Sequence, residues 1–181
     1  MIVAITGASG SIMGIRFLEQ LKKIDVKTEL IISNKAKIII KAETDYSISD
    51  VSNLATKHYD VNDLTAAPAS GSYKIDEMVV IPCSMKTLAA IATGYSDNLI
   101  SRVADVMIKE RRKLILVVRE TPLNAIHLEN MLKLTRLGVI IFPPIPSFYH
   151  KPQNIDDIIK HTIGRILDQV GLKIDIKRWG D

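Results

Sequence analysis

Residues able to do chemistry gather in five short segments of this 181-residue chain. The first is Thr6-Gly7-Ala8-Ser9-Gly10-Ser11-Ile12-Met13-Gly14. Glycines there permit a tight turn from a strand into a helix, and the unpaired N–H groups of the helix start face an anion or a polar ring. Two cofactors fit such a turn, a nicotinamide dinucleotide and flavin mononucleotide (FMN). A short-chain dehydrogenase also needs a Tyr-x-x-x-Lys pair, and none of the five tyrosines has a lysine four residues on. The second strand ends in Ser33-Asn34-Lys35, with no carboxylate for a ribose diol, so the dinucleotide is disfavoured. A ligand-free glycine turn is the plain alternative.

In Pro82-Cys83-Ser84-Met85-Lys86-Thr87, Ser84 stands where a helix N-cap belongs. Its hydroxyl, Thr87 and the free N–H groups form a nest for a phosphate or a flavin's polar edge. Cys83 has no evident histidine partner and reads as a small buried thiol. In Lys109-Glu110-Arg111-Arg112-Lys113, most of the charge suits a solvated helix end. Lys109, however, lies two turns after Arg102 on one helix face, and two such cations suit a phosphate. Arg119-Glu120 directly follows an apolar strand, pairing an anion binder with a proton carrier. The fifth segment, Pro143 to Pro152, is stiffened by proline and presents Tyr149. His127, His150 and His161 lack metal-ligand spacing and read as surface or packing residues, so no metal site is expected.

Alternating elements must position these segments. Strands are expected at Ile2–Thr6, Thr28–Ser33, Met78–Pro82, Lys113–Val118 and Val139–Phe142. Helices are expected at Ile12–Lys23, Asn34–Ala42, Ser49–His58 (capped by Ser49 or Asp50), Met85–Ala92, Leu99–Arg112, Asn124–Leu137 and Ile155–Val170. The pattern predicts an α/β fold, a doubly wound and mostly parallel sheet whose ligands bind at the carboxyl ends of the strands. One domain over residues 1–181 is expected, with 171–181 as a tail. The charge is +4 and aromatics are 5%, which gives little support to a nucleic-acid surface. No apolar run is long enough for a membrane span. The apolar start Met1–Thr6 does not read as a signal peptide, and a single cysteine makes the reducing cytoplasm the expected location.

Taken together, these segments resemble the UbiX-type flavin prenyltransferases of the flavin-binding decarboxylase-like superfamily. The likeness runs almost end to end. Beyond the segments above it includes Glu43-Thr44-Asp45, Pro68-Ala69-Ser70-Gly71-Ser72, Ala104-Asp105-Val106, Val118-Arg119-Glu120-Thr121-Pro122-Leu123, His127-Leu128-Glu129-Asn130-Met131, Phe148-Tyr149-His150-Lys151-Pro152 and Arg178-Trp179. The resemblance implies a Rossmann-like, flavodoxin-type αβα sandwich that assembles through trimers into a homododecamer. It implies metal-free joining of reduced FMN to dimethylallyl monophosphate at flavin N5 and C6, with release of phosphate. The prenylated FMN would then serve a UbiD-type decarboxylase.

By the same resemblance FMN is held by Gly7, Ala8, Ser9, Ser33, Ser84, Met85, Lys86, Thr87 and Arg119. The substrate phosphate is held by Lys109, Arg119, Tyr149 and Arg165, with Arg102 nearby, drawn from more than one subunit. Glu120 protonates the departing phosphate, Glu43 handles the proton lost on ring closure, and Ser9 steers protons near N5. Trp179 closes the prenyl pocket or simply packs the tail. Two alternatives stand beside this reading, a flavin-dependent cysteine decarboxylase and a non-catalytic FMN carrier. The cysteine decarboxylases carry Asn where this chain has Lys86, and a carrier has no use for Glu120 beside Arg119.

Overall fold

The computed structural model describes residues 1–180 and resolves them into two compact units, Met1–Pro143 and Pro144 onward. The first unit runs β1 (Ile2–Ile5), α1 (Ser11–Lys23), β2 (Glu29–Ile32), α2 (Asn34–Glu43), α3 (Ile48–Ser52), β3 (Lys57–Tyr59), a 3-10 turn at Ala67–Ala69, β4 (Glu77–Cys83), α4 (Met85–Thr93), α5 (Leu99–Lys109), β5 (Lys113–Val118), α6 (Ala125–Arg136) and β6 (Ile140–Ile141). The strands form one sheet in the order β3-β2-β1-β4-β5-β6, and every pairing is parallel. This is the doubly wound architecture expected. The order reverses between β1 and β4, so the binding crevice of such a sheet opens at the carboxyl ends of those two strands.

Burial follows from parallel pairing. A parallel sheet is covered on both faces, so its central strands are apolar throughout. All four residues of β1 are fully buried. Ile2 and Ala4 join a core with Leu88, Ile91, Leu99, Val103, Met107 and Leu134 from α4, α5 and α6. Val3 and Ile5 point to the other face by strand alternation. There α1 lies close enough that a Cβ on Gly14 would strike the Ile81 carbonyl and crowd the Ile5 side chain.

Four elements differ from the sequence reading. The helix expected over Ser49–His58 starts earlier and ends at Ser52, because Ser47, not Ser49 or Asp50, is its N-cap in a reciprocal box with Asp50. The chain then enters β3, where His58 pairs with Leu30. A polar edge strand of three residues is too short for alternation to reveal. Strand β4 continues past the expected stop at Pro82, with a cis Ile81–Pro82 bond and a register shift between Val80 and Cys83. Helix α5 ends at Lys109 because Arg111 turns left-handed, at φ 55°.

The second unit holds α7 (Ile155–Gln169), capped by Asn154, whose side chain accepts from the Asp157 N–H. The segment after it returns along α7, with Ile176 filling the space that Gly164 leaves. Asp168 fastens that return, accepting two bonds from Arg178 at 2.8 and 2.9 Å and one from Arg165 at 2.8 Å.

Candidate active site

The carboxyl ends of β1 and β4 are pinned by Thr6, which is 1% exposed. Its hydroxyl donates to the Pro82 carbonyl (2.7 Å) and accepts from the Ser84 N–H (2.8 Å). The turn after β1 and the turn before α4 are therefore one construction. Ser84 caps α4 as expected, accepting from the Thr87 N–H and donating to the Thr87 hydroxyl. Ser33 caps α2 in the same way, accepting from the Ala36 N–H at 3.1 Å. Gly7 passes so close to Lys35 that a Cβ would overlap that side chain, so the first turn presses against the start of α2.

Glu43, at the far end of α2, reaches back to the start of α1. Its Oε2 accepts from the Gly10 N–H (2.9 Å), the Ser11 N–H (3.1 Å) and the Ser11 hydroxyl (3.0 Å). Burial raises the Glu43 pKa, but hydrogen bonds from Ser9, Gly10 and Ser11 outweigh it and hold the carboxyl below its ordinary range. Ser9 and Glu43, the two residues expected as proton carriers, thus meet at one turn, where the Ser9 hydroxyl is among the groups that lower the Glu43 pKa. Gly10, at φ 92°, adopts the left-handed turn that aims its N–H at the carboxylate. Glu43 supplies the negative charge that favours the α1 N-terminus. The starts of α2 and α4 remain for a ligand anion. This arrangement suits FMN: two capped helix starts for a phosphate and a polar ring edge, a close-packed glycine turn for a flat face, and Arg119 at the end of β5 for anionic oxygens.

Arg119 and Glu120 follow β5 directly, and the Arg119 N–H donates to the Cys83 carbonyl at 3.1 Å. Both side chains are exposed, and Glu120 accepts from the Thr121 N–H. Lys86 forms an ion pair with Asp97 at 3.0 Å, which bridges α4 to the start of α5. Met85 packs partly against the core. Cys83 is fully buried, and burial pushes its thiol pKa up, in keeping with an inert residue.

One protomer does not bring all the expected phosphate ligands together. Lys109 ends α5, four residues before β5 begins, whereas Arg119 follows its last residue. The strand between them is about 17 Å long. Lys109 is paired with Glu110 beside Gly71. Arg102 donates to the Ala69 carbonyl (3.0 Å) and to Asp105 (2.9 Å). With Arg112, which donates to the Gly71 and Tyr73 carbonyls, these cations hold the Pro68–Tyr73 segment. In the second unit Tyr149 meets Trp179 edge to face with ring centres 5.4 Å apart, and Trp179 is 82% exposed. Arg165 is exposed on α7.

Sequence reasoning missed Thr6, Ser11 and His161. Thr6 was grouped with the glycine turn, and nothing in its neighbours marks a hydroxyl that bonds 76 residues away. His161 was read as packing, yet it bonds Tyr149. Only side-chain geometry reveals either.

Residues 1–167 match the Flavoprotein family. A flavin prenyltransferase UbiX of Methanocaldococcus jannaschii is 56% identical over 181 residues, covering 99% of this chain and 98% of its own length. The crystal structure of AnUbiX (PadA1) in complex with FMN and dimethylallyl pyrophosphate superposes with a TM-score of 0.98 at 52% identity, covering 99% of this chain and 96% of that one. A dodecameric FMN-dependent UbiX-like decarboxylase from Escherichia coli also gives 0.98, at 49% identity and with 99% and 98% covered. With the family model matched over residues 1–167 and about half of the residues identical along the whole chain, the chain belongs to the flavoprotein family and, within it, to the UbiX-type flavin prenyltransferases.

Proposed function

We propose that this protein joins the dimethylallyl group of dimethylallyl monophosphate to reduced FMN and releases phosphate. The observation that carries the reading is the Glu43 carboxylate bound to Gly10 and Ser11 at the β1 turn, set beside the Ser84 nest and followed along the sheet by Arg119-Glu120. A non-catalytic carrier needs the nest alone.

Reduced FMN, when bound, would supply an electron-rich ring whose N5 and C6 each exchange a hydrogen for a bond to the five-carbon group, whose alkene takes up one proton. The residues of the chain do the rest. Breaking the allylic C–O bond sends the electron pair to phosphate, so positive groups must face the leaving oxygens as their charge grows. Arg119, Lys109 and Arg165 supply them in place of a divalent ion, and the Tyr149 hydroxyl adds a hydrogen-bond donor. Glu120 donates the proton that makes the monoester a better leaving group. Glu43, held as a carboxylate by its hydrogen bonds, would accept the proton released on ring closure, with Ser9 beside it at the β1 turn. Lys109 and Arg119 lie at opposite ends of β5, so the phosphate site is completed between copies of the chain, within a dodecamer like that of the Escherichia coli relative. Exposed Leu128 and Leu132, one turn apart on α6, offer an apolar face for such assembly. A prenylated flavin is of use only to another enzyme, and we assign a UbiD-type decarboxylase as its recipient.

Chelator-treated protein given reduced FMN and dimethylallyl monophosphate is expected to release phosphate and shift the flavin spectrum. A parallel reaction with the diphosphate, the form bound in the AnUbiX complex, tests the choice of leaving group. Glu120→Ala and Lys109→Ala are expected to abolish turnover while retaining FMN. Unchanged turnover in both removes the phosphate-site assignment, and FMN binding without any turnover in the wild type favours the carrier.

A further inference from the structure

His161 is 6% exposed and sits at the centre of a polar cluster. Its Nε2 lies 2.8 Å from the Tyr149 hydroxyl and its Nδ1 3.0 Å from the Ser147 hydroxyl. The His150 ring stacks on it with centres 4.3 Å apart and planes 4° from parallel. Arg165 is four residues on along α7, and so on the same face. Ring, phenol and guanidinium are therefore held by one short stretch of chain.

The chemistry of the Tyr149–His161 bond has a direction. A phenol carries one hydrogen. When Nε2 has no proton, Tyr149 must donate to it and keeps only lone pairs for a ligand. When Nε2 is protonated, the ring donates to the phenol oxygen and the phenol hydrogen is free. A phosphate monoester dianion offers acceptors alone, so it can bind Tyr149 only in the second arrangement. In that arrangement Nδ1 carries no proton and the Ser147 hydroxyl, 3.0 Å away, donates to it.

We propose that His161 is a positioning residue that sets the donor direction of the Tyr149 hydroxyl and thereby the affinity for a phosphate monoester. The inference rests on Tyr149 belonging to the phosphate site proposed above. The groups facing the ring are His150, Tyr149 and Ser147 from the proline-rich segment, Arg165 on α7, and Arg178 with the Lys177 carbonyl from the returning tail. Burial, then His150 and Arg165, lower its pKa, while the Lys177 carbonyl opposes them. The ring is accordingly neutral near pH 7, and its tautomer decides the matter.

The test measures dissociation constants for dimethylallyl monophosphate on protein loaded with oxidised FMN, which cannot react. Tyr149→Phe is expected to weaken binding about tenfold, the loss of one hydrogen bond to a charged group. His161→Phe leaves the phenol hydrogen free but no longer aimed, and should weaken binding by up to the same factor; the double variant should be no worse than Tyr149→Phe, and His161→Gln, whose amide can donate to Tyr149, should recover most of the affinity. Imidazole 15N shifts in the wild-type complex should show Nε2 protonated. The affinity should also vary with pH through a titration below the ordinary histidine range, absent in His161→Gln. Wild-type affinity in His161→Phe with a weakened Tyr149→Phe overturns the proposal and leaves the phosphate site standing. Wild-type affinity in both overturns the proposal and Tyr149's assignment together. If His161→Phe does not fold, the 15N spectrum decides, and an unprotonated Nε2 in the complex refutes the proposal.

Discussion

Replacing Thr6 with valine removes one buried hydroxyl at nearly constant shape, and the structure fixes what that costs. The Pro82 carbonyl keeps a second donor, the Thr6 N–H at 3.2 Å, so only the net worth of one hydrogen bond is lost there, about 0.5–1.5 kcal/mol. The Ser84 N–H has Thr6 Oγ1 as its acceptor at 2.8 Å, and leaving a buried donor unpaired costs about 1–3 kcal/mol. The sum is about 1.5–4.5 kcal/mol. For a chain of this length each kcal/mol lowers the melting temperature by about 2–4 °C, so Thr6→Val should melt about 3–18 °C below the wild type. Thr6→Ser keeps both bonds, loses one methyl, and should fall by about 1 kcal/mol. Thermal denaturation of the FMN-free proteins at one fixed concentration reads the difference. FMN titration should also show weaker binding in the valine variant, because Ser84 is no longer held against the β1 turn. A valine variant that melts with the wild type and binds FMN equally well would refute the role given to Thr6, as would a serine variant that behaves like valine.

Glu43→Gln should lower turnover by about 10²-fold or more with FMN retained, as steady-state rates and flavin titration will show. The wild-type carboxyl is held below its ordinary range, so its contribution to stability is complete above about pH 4.3 and is lost as pH falls through the lower folded value. The glutamine variant should lack that acid limb in a pH series of melts. Gly14→Ala places a methyl against the Ile81 carbonyl, which cannot step aside, and should cost about 1–3 kcal/mol in thermal denaturation. Leu132→Glu puts a charge on the exposed α6 face and should reduce the assembly's mass in light scattering, with the helix content by circular dichroism unchanged.

What could be read from the residues was whatever short-range chemistry dictates. Apolar runs such as Lys113–Val118 and the cap at Ser84 mark their elements directly, and the turns at the strand ends locate the crevice. The edge strand Lys57–Tyr59 was hidden because its pairing with β2, not its own pattern, makes it a strand. Within the site, residue types marked Ser9, Glu43 and Arg119 through a family likeness. The bonds from Gly10 and Ser11 to Glu43 span 33 and 32 residues, and no spacing rule contains them. Lys109 shows the opposite case. Its helical phase with Arg102 is correct, yet the protomer uses Arg102 to fasten the Pro68–Tyr73 segment and pairs Lys109 with Glu110. A face shared on one helix locates charge without saying which copy's ligand it meets.

The central claim is that protein cations and a carboxyl acid, without a divalent ion, carry the allyl group from phosphate to flavin. The most direct measurement is the mass of the flavin recovered from metal-free protein after incubation with reduced FMN and dimethylallyl monophosphate, with phosphate assayed alongside. The account predicts a flavin heavier by one five-carbon isoprene unit and one phosphate released for each flavin converted. An unchanged flavin mass, or conversion that appears only when a divalent metal is restored, would contradict it.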